Sequence, residues 1–62
     1  MKLYRFCCLE PDGRISQSFF LSCLGDLEAI AEAESVAKRS LVEVWDGGRL
    51  VARVTPQNQR PN

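Results

Sequence analysis

The sequence contains no histidine. That absence removes most catalytic triads, most zinc sites and the commonest general base in one step. No apolar run approaches the roughly 20 residues of a membrane-crossing helix. The opening Met1-Lys2-Leu3-Tyr4-Arg5 runs directly into a strand-like pattern and does not resemble a signal peptide. Net charge is also missing: eight Lys plus Arg balance eight Asp plus Glu. No global field therefore steers the chain to nucleic acid or an anionic membrane. These absences point to a cytoplasmic protein without membrane contact.

Cysteine is present three times, as Cys7, Cys8 and Cys23. An odd count in a cytoplasmic chain predicts reduced thiols, not disulfides. Adjacent strand residues point to opposite faces, so Cys7 and Cys8 do not chelate one metal. Cys8 reads as a small core residue and Cys23 as a loop residue open to solvent. Asp12-Gly13 and Asp46-Gly47-Gly48 lack the full spacing of a phosphate or calcium loop and read as turns. Glu28, Glu32 and Glu34 read as a solvated helix face. No catalytic, metal-binding or cofactor-binding residue is identified, and the chain is expected not to be an enzyme.

At 62 residues the chain is one small domain. A domain of this size buries only roughly 60% of the surface that its unfolded chain exposes. Small cores are usually reinforced by disulfides, metals or a partner subunit. With the first two excluded, self-association is the expected remedy.

Residues 2–9 are rich in aromatics, lack Gly and Pro, and predict a strand. Glu10-Pro11-Asp12-Gly13 predicts a turn, and residues 14–21 a second strand. Asp26 is the expected N-cap of a helix over 27–39, with Glu28 suited to its first turn and Lys38 and Arg39 to its last. Leu27, Ile30, Ala33, Val36 and Ala37 form its apolar side. Residues 41–45 and 49–55 predict a second hairpin around Asp46-Gly47-Gly48. The domain is placed at 1–55, with 56–62 as a disordered tail. The fold class is therefore α+β: a two-layer ββαββ domain with a four-stranded antiparallel sheet in the order 2-1-3-4 and one helix on one face.

Hairpin register decides which face is buried. An even-length loop in the first hairpin puts Tyr4, Phe6 and Cys8 on one face with Ile15, Phe19 and Leu21. A three-residue loop in the second adds Val42, Val44, Leu50, Ala52 and Val54. The opposite face then carries Leu3, Arg5, Cys7, Arg14, Phe20, Leu41, Glu43, Trp45, Arg49, Val51 and Arg53. A sheet face meant only for water alternates to plain polar residues, and this one does not. Trp45, Phe20, Arg5, Arg49, Arg53, Val51 and Leu3 are accordingly the expected interaction surface. A homodimer interface ranks first, because Trp and Arg are enriched at interface hot spots. A different protein partner ranks second. A nucleic-acid platform follows, with aromatics stacking bases among the arginines. The plain alternative is that Trp45 covers neighbouring strands and the arginine stems lie over apolar patches.

Tyr4-Arg5-Phe6, Asp12-Gly13-Arg14-Ile15, Asp26-Leu27-Glu28-Ala29-Ile30, Val42-Glu43-Val44-Trp45-Asp46-Gly47 and Arg49-Leu50-Val51-Ala52 together resemble a set of short uncharacterised alphaproteobacterial proteins grouped as a domain of unknown function. The resemblance covers about residues 3–56. It implies a ββαββ shape and supplies no activity and no site residues. The expected function is that of a small non-enzymatic interaction or regulatory module.

Overall fold

The computed structural model describes residues 1–38 and 40–56. β1 (Lys2–Leu9) and β2 (Ile15–Cys23) form the first hairpin. The helix α1 (Asp26–Val36) follows, and β3 (Leu41–Asp46) and β4 (Arg49–Val54) form the second. The strands make one antiparallel sheet in the order β2-β1-β3-β4, so the two hairpins join through β1 and β3. The architecture is the expected α+β ββαββ sandwich. Among the described residues no helix is long and apolar enough to cross a membrane.

One face of the sheet packs under α1. Its buried cluster comprises Tyr4, Phe6 and Cys8 from β1, Cys23 from β2, Val42 and Val44 from β3, Val54 from β4, and Ala29, Ala33 and Ala37. Phe6 stacks on Phe19 with ring centroids 5.3 Å apart. The alanines recur every fourth residue, which aligns them along one side of the helix. Their small side chains let the helix backbone sit close to the sheet. Leu27, expected in this stripe, is 85% exposed, and Ile30 and Val36 are only half-buried. The stripe is centred on alanine, so the bulkier neighbours are rotated to its margins or away from it.

The helix also ends earlier than its composition suggests. Ala37 leaves the helical region at φ −78°, ψ 70°, and the Lys38 N–H bonds the Val36 carbonyl at 2.8 Å, an inverse γ-turn. Lys38 therefore lies beyond the last turn, and Arg39 is outside the described residues. At the other end the cap is Gly25 and Asp26 is the first helical residue, so the expected side-chain cap does not form. Glu28 instead accepts the Leu24 N–H at 2.8 Å. The expected tail at 56–62 lies outside the described residues except for Pro56, which is buried.

Both hairpins carry a bulge, and the bulges correct the face assignment. In the first, Cys8 pairs with Gln17 but Leu9 pairs with Ile15, leaving Ser16 unpaired. The Ser16 hydroxyl donates to the Cys8 carbonyl at 3.2 Å and holds the bulge. Ile15 is thereby moved off the core face and is 60% exposed. In the second hairpin the turn is the two residues Gly47-Gly48, because Asp46 pairs directly with Arg49. Gly47 has φ +61°, which suits the first central position of a II′ turn. Val44 pairs with Ala52 and Trp45 with Leu50, so Val51 is the extra residue.

The bulge at Val51 keeps Ala52 and Val54 on the core face and Arg53 on the outer one, as expected. It reverses the two residues nearest the turn. Leu50 shares the outer face with Trp45, and Arg49 lies on the helix side with Asp46. Val51 packs against the buried cluster. The expected three-residue loop placed the extra residue in the turn, whereas the chain places it in the strand.

Candidate functional site

Among the described residues no helix covers the outer face, and the pairing fixes its rows. Phe20 on β2 is opposite Arg5 on β1, Arg5 is opposite Trp45 on β3, and Trp45 is opposite Leu50 on β4. A second row runs Ser18, Cys7, Glu43, Arg53, and a third Ile15, Leu9, Leu41. Leu3, opposite Ser22, lies next to the first row. Two largely apolar rows thus flank one polar row. Leu3 is 60% exposed, Phe20 59% and Leu50 42%. Trp45 is half-buried.

The polar row is internally satisfied. Trp45 Nε1 donates to Glu43 at 3.2 Å, and Arg53 Nε meets the other Glu43 oxygen at 3.2 Å. Cys7 is buried beneath its neighbours. Beside the third row, Leu9, Leu41, Arg53, Pro11 and Pro56 line an open groove of about 270 Å³.

The expected arginine cluster is smaller than the sequence suggested. Arg5 and Arg53 lie on the outer face, and Arg53 is spent on Glu43. Arg14 precedes β2 and its Nε bonds Asp12 at 2.8 Å. Arg49 belongs to a different group on the helix side, with Val51 also turned from the outer face. Sequence reasoning missed Leu50 and Ile15 as outer-face residues. No composition signal marks a bulge at Ser16 or Val51, so neither was available from the pattern.

The helix-side group is a chain of ion pairs. Lys2 meets Asp46 at 2.6 Å, Arg49 meets Asp46 at 3.0 Å and Asp26 at 3.1 Å, and the Tyr4 hydroxyl donates to Asp26 at 2.8 Å. Lys2 also lies 5.7 Å from the Tyr4 ring centre. The group ties the start of α1 to β1 and to the β3–β4 turn. Arg49, then Tyr4, hold the Asp26 carboxyl below its ordinary value, and Lys2, then Arg49, do the same for Asp46. Burial, then Asp26, raises Tyr4, which stays a neutral donor. Each carboxylate is committed to a cation, so the arrangement is a clamp and leaves no free base.

Depressed carboxyl values have a signed consequence. Stability from Asp26 and Asp46 is present above the unfolded value, 3.8, and is lost as pH falls through the lower folded values. Acid titration followed by circular dichroism is expected to show a decline beginning below about pH 4. In Arg49→Ala that part of the decline should shrink. An unchanged acid profile in the variant would mean the clamp contributes nothing to folding.

The cysteines are all free and all buried. Cys23 terminates β2 inside the core, where an exposed loop position was expected. Burial raises the Cys8 and Cys23 thiols, which disfavours the reactive thiolate. Among the described residues no group of His, Cys, Asp or Glu is placed to hold a metal ion. Compared with known proteins, the chain matches no family model, no curated protein and no solved structure.

Proposed function

We propose that the chain is a small non-enzymatic interaction module of the cytoplasm that self-associates through the uncovered sheet face. The observation that carries this reading is the row Phe20, Arg5, Trp45, Leu50, which crosses all four strands with no layer above it among the described residues. Two aromatics, one aliphatic and one arginine are the composition of an interface centre with its anchor residues. Gaining Leu50 and Ile15 makes the face more apolar than the sequence implied, and losing Arg49 makes it less basic. Both changes favour burial against protein. Free, buried cysteines suit a reducing compartment.

Sedimentation velocity over a wide concentration range tests the proposal. The wild type is expected to associate to a dimer or beyond as concentration rises. Trp45→Arg and Leu50→Lys should weaken that association about thirtyfold or more, the ~2 kcal/mol of a hot-spot side chain. A wild type that stays monomeric at high concentration overturns the reading.

A nucleic-acid platform is the alternative proposal, favoured by one detail: Arg5 stands between Phe20 and Trp45 in the same row. It requires salt-sensitive binding of single strands and loss of binding in Arg5→Ala. A labelled oligonucleotide that does not bind at low salt removes it.

A further inference from the structure

The edge strand β2 has the features of a strand that accepts another strand. Its sheet neighbour is β1 alone, so among the described residues one row of its backbone N–H and C=O groups has no ladder partner. Edge strands are normally blunted by short length, charge, proline or a bulge. β2 is nine residues long, and Ile15-Ser16-Gln17-Ser18-Phe19-Phe20-Leu21-Ser22-Cys23 contains no charged residue and no proline. Its bulge at Ser16 lies at the start and leaves residues 17–23 in regular register. The opposite edge, β4, shows the contrast: it is six residues long, carries Arg49 and Arg53, and is bulged at Val51 in its interior. One edge is protected and the other is open.

We propose that β2 pairs antiparallel with β2 of a second copy, joining the two sheets into one. The occupant follows from self-complementarity. An uncharged strand meets its own copy without like-charge repulsion, and one register matches its side chains. A two-fold axis through Phe20 sets Phe20 opposite Phe20 of the second copy, Phe19 opposite Leu21, and Ser18 opposite Ser22. Aromatic, apolar and hydroxyl pairs are each favourable when directly opposite.

Antiparallel pairing across an edge requires that axis to be normal to the sheet. Both helices then lie on one side and both outer faces on the other. The row Leu50, Trp45, Arg5, Phe20 continues into the same row of the second copy. This inference rests on the reading of the chain as a self-associating module and adds a second contact, distinct from stacking of the outer faces.

Amide hydrogen exchange on the full chain at low and high concentration separates the two contacts. Stacked outer faces leave the β2 edge open to solvent, whereas strand pairing closes it. The outward amides between Gln17 and Cys23 are expected to slow about tenfold or more as concentration rises through the association range. Leu21→Lys places a charge on the helix side of β2 and leaves the outer face intact. It should raise the dissociation constant about tenfold or more. The wild-type exchange result stands even if that variant folds poorly. Rates for 17–23 that do not change with concentration overturn the edge contact. If Trp45→Arg abolishes association and the amides were never protected, the outer face alone assembles the protein. If the amides are protected and Trp45→Arg associates as the wild type does, the edge contact holds and the face contact fails.

Discussion

Phe6→Ala is expected to remove about a third or more of the chain's stability at 25 °C. Phe6 is fully buried, stacks on Phe19 and is paired to Phe19 on β2 and Val44 on β3. It therefore sits where the two hairpins meet. Truncating a buried phenylalanine costs about 3–5 kcal/mol through lost transfer energy and the cavity left behind. At typical values per residue, a domain of this length has a total stability of roughly 3–9 kcal/mol. The loss is thus comparable with the whole. Urea unfolding followed by circular dichroism checks it: the midpoint should fall sharply or disappear. A midpoint near that of the wild type would mean that the junction of the hairpins is not the centre of the core.

Ala33→Leu is expected to have the second largest effect. Ala33 is fully buried in the middle of the stripe that faces the sheet, between Ala29 and Ala37. Leucine has an intrinsic helix propensity close to that of alanine, so the helix itself is not the casualty. The added carbons must displace the sheet, and overpacking of this kind typically costs about 1–3 kcal/mol. Ala31→Leu is the control, since Ala31 is exposed on the same helix. It should stay within about 0.5 kcal/mol of the wild type. Equal destabilisation by both would place the cost in the helix and not in its approach to the sheet.

The two results test the features of the fold that the sequence expressed unequally. Strand positions were legible because aromatics and β-branched residues cluster between Gly-containing turns. Strand order followed from handedness and from hairpins that must join side by side. The core residues of β1 and β3 were legible because a period of two admits only two faces, and Tyr4, Phe6, Val42 and Val44 agree on one of them. What alternation does not reveal is where it is interrupted. The bulge at Ser16 turned Ile15 outward, and the bulge at Val51 exchanged Arg49 for Leu50 on the outer face. Each is a local choice between an extra residue in the turn and one in the strand, and the same residues satisfy either pattern.

The helix gives a second instance. Apolar periodicity pointed to Leu27 because it is large, but close packing selected small residues. The side chain of Asp26 was assigned to capping on propensity, whereas it is engaged by Tyr4 and Arg49 from distant parts of the chain. Contacts between residues so far apart in sequence leave no local signature. Phe20, Arg5, Arg53 and Leu3 were placed on the outer face correctly because they lie away from the turn side of a bulge, and Trp45 because β3 is paired to Arg5 of β1 without interruption.

Trp45 is the only tryptophan, and it stands in the outer-face row that crosses all four strands. Its emission therefore reports on that face without labels or substitutions. The most direct test is acrylamide quenching and emission maximum of the wild type across a dilution series that brackets the association range. Self-association through the outer face predicts a blue shift and weaker quenching as concentration rises. Emission and quenching that stay constant while the protein demonstrably associates would contradict it, and would place the contact away from Trp45.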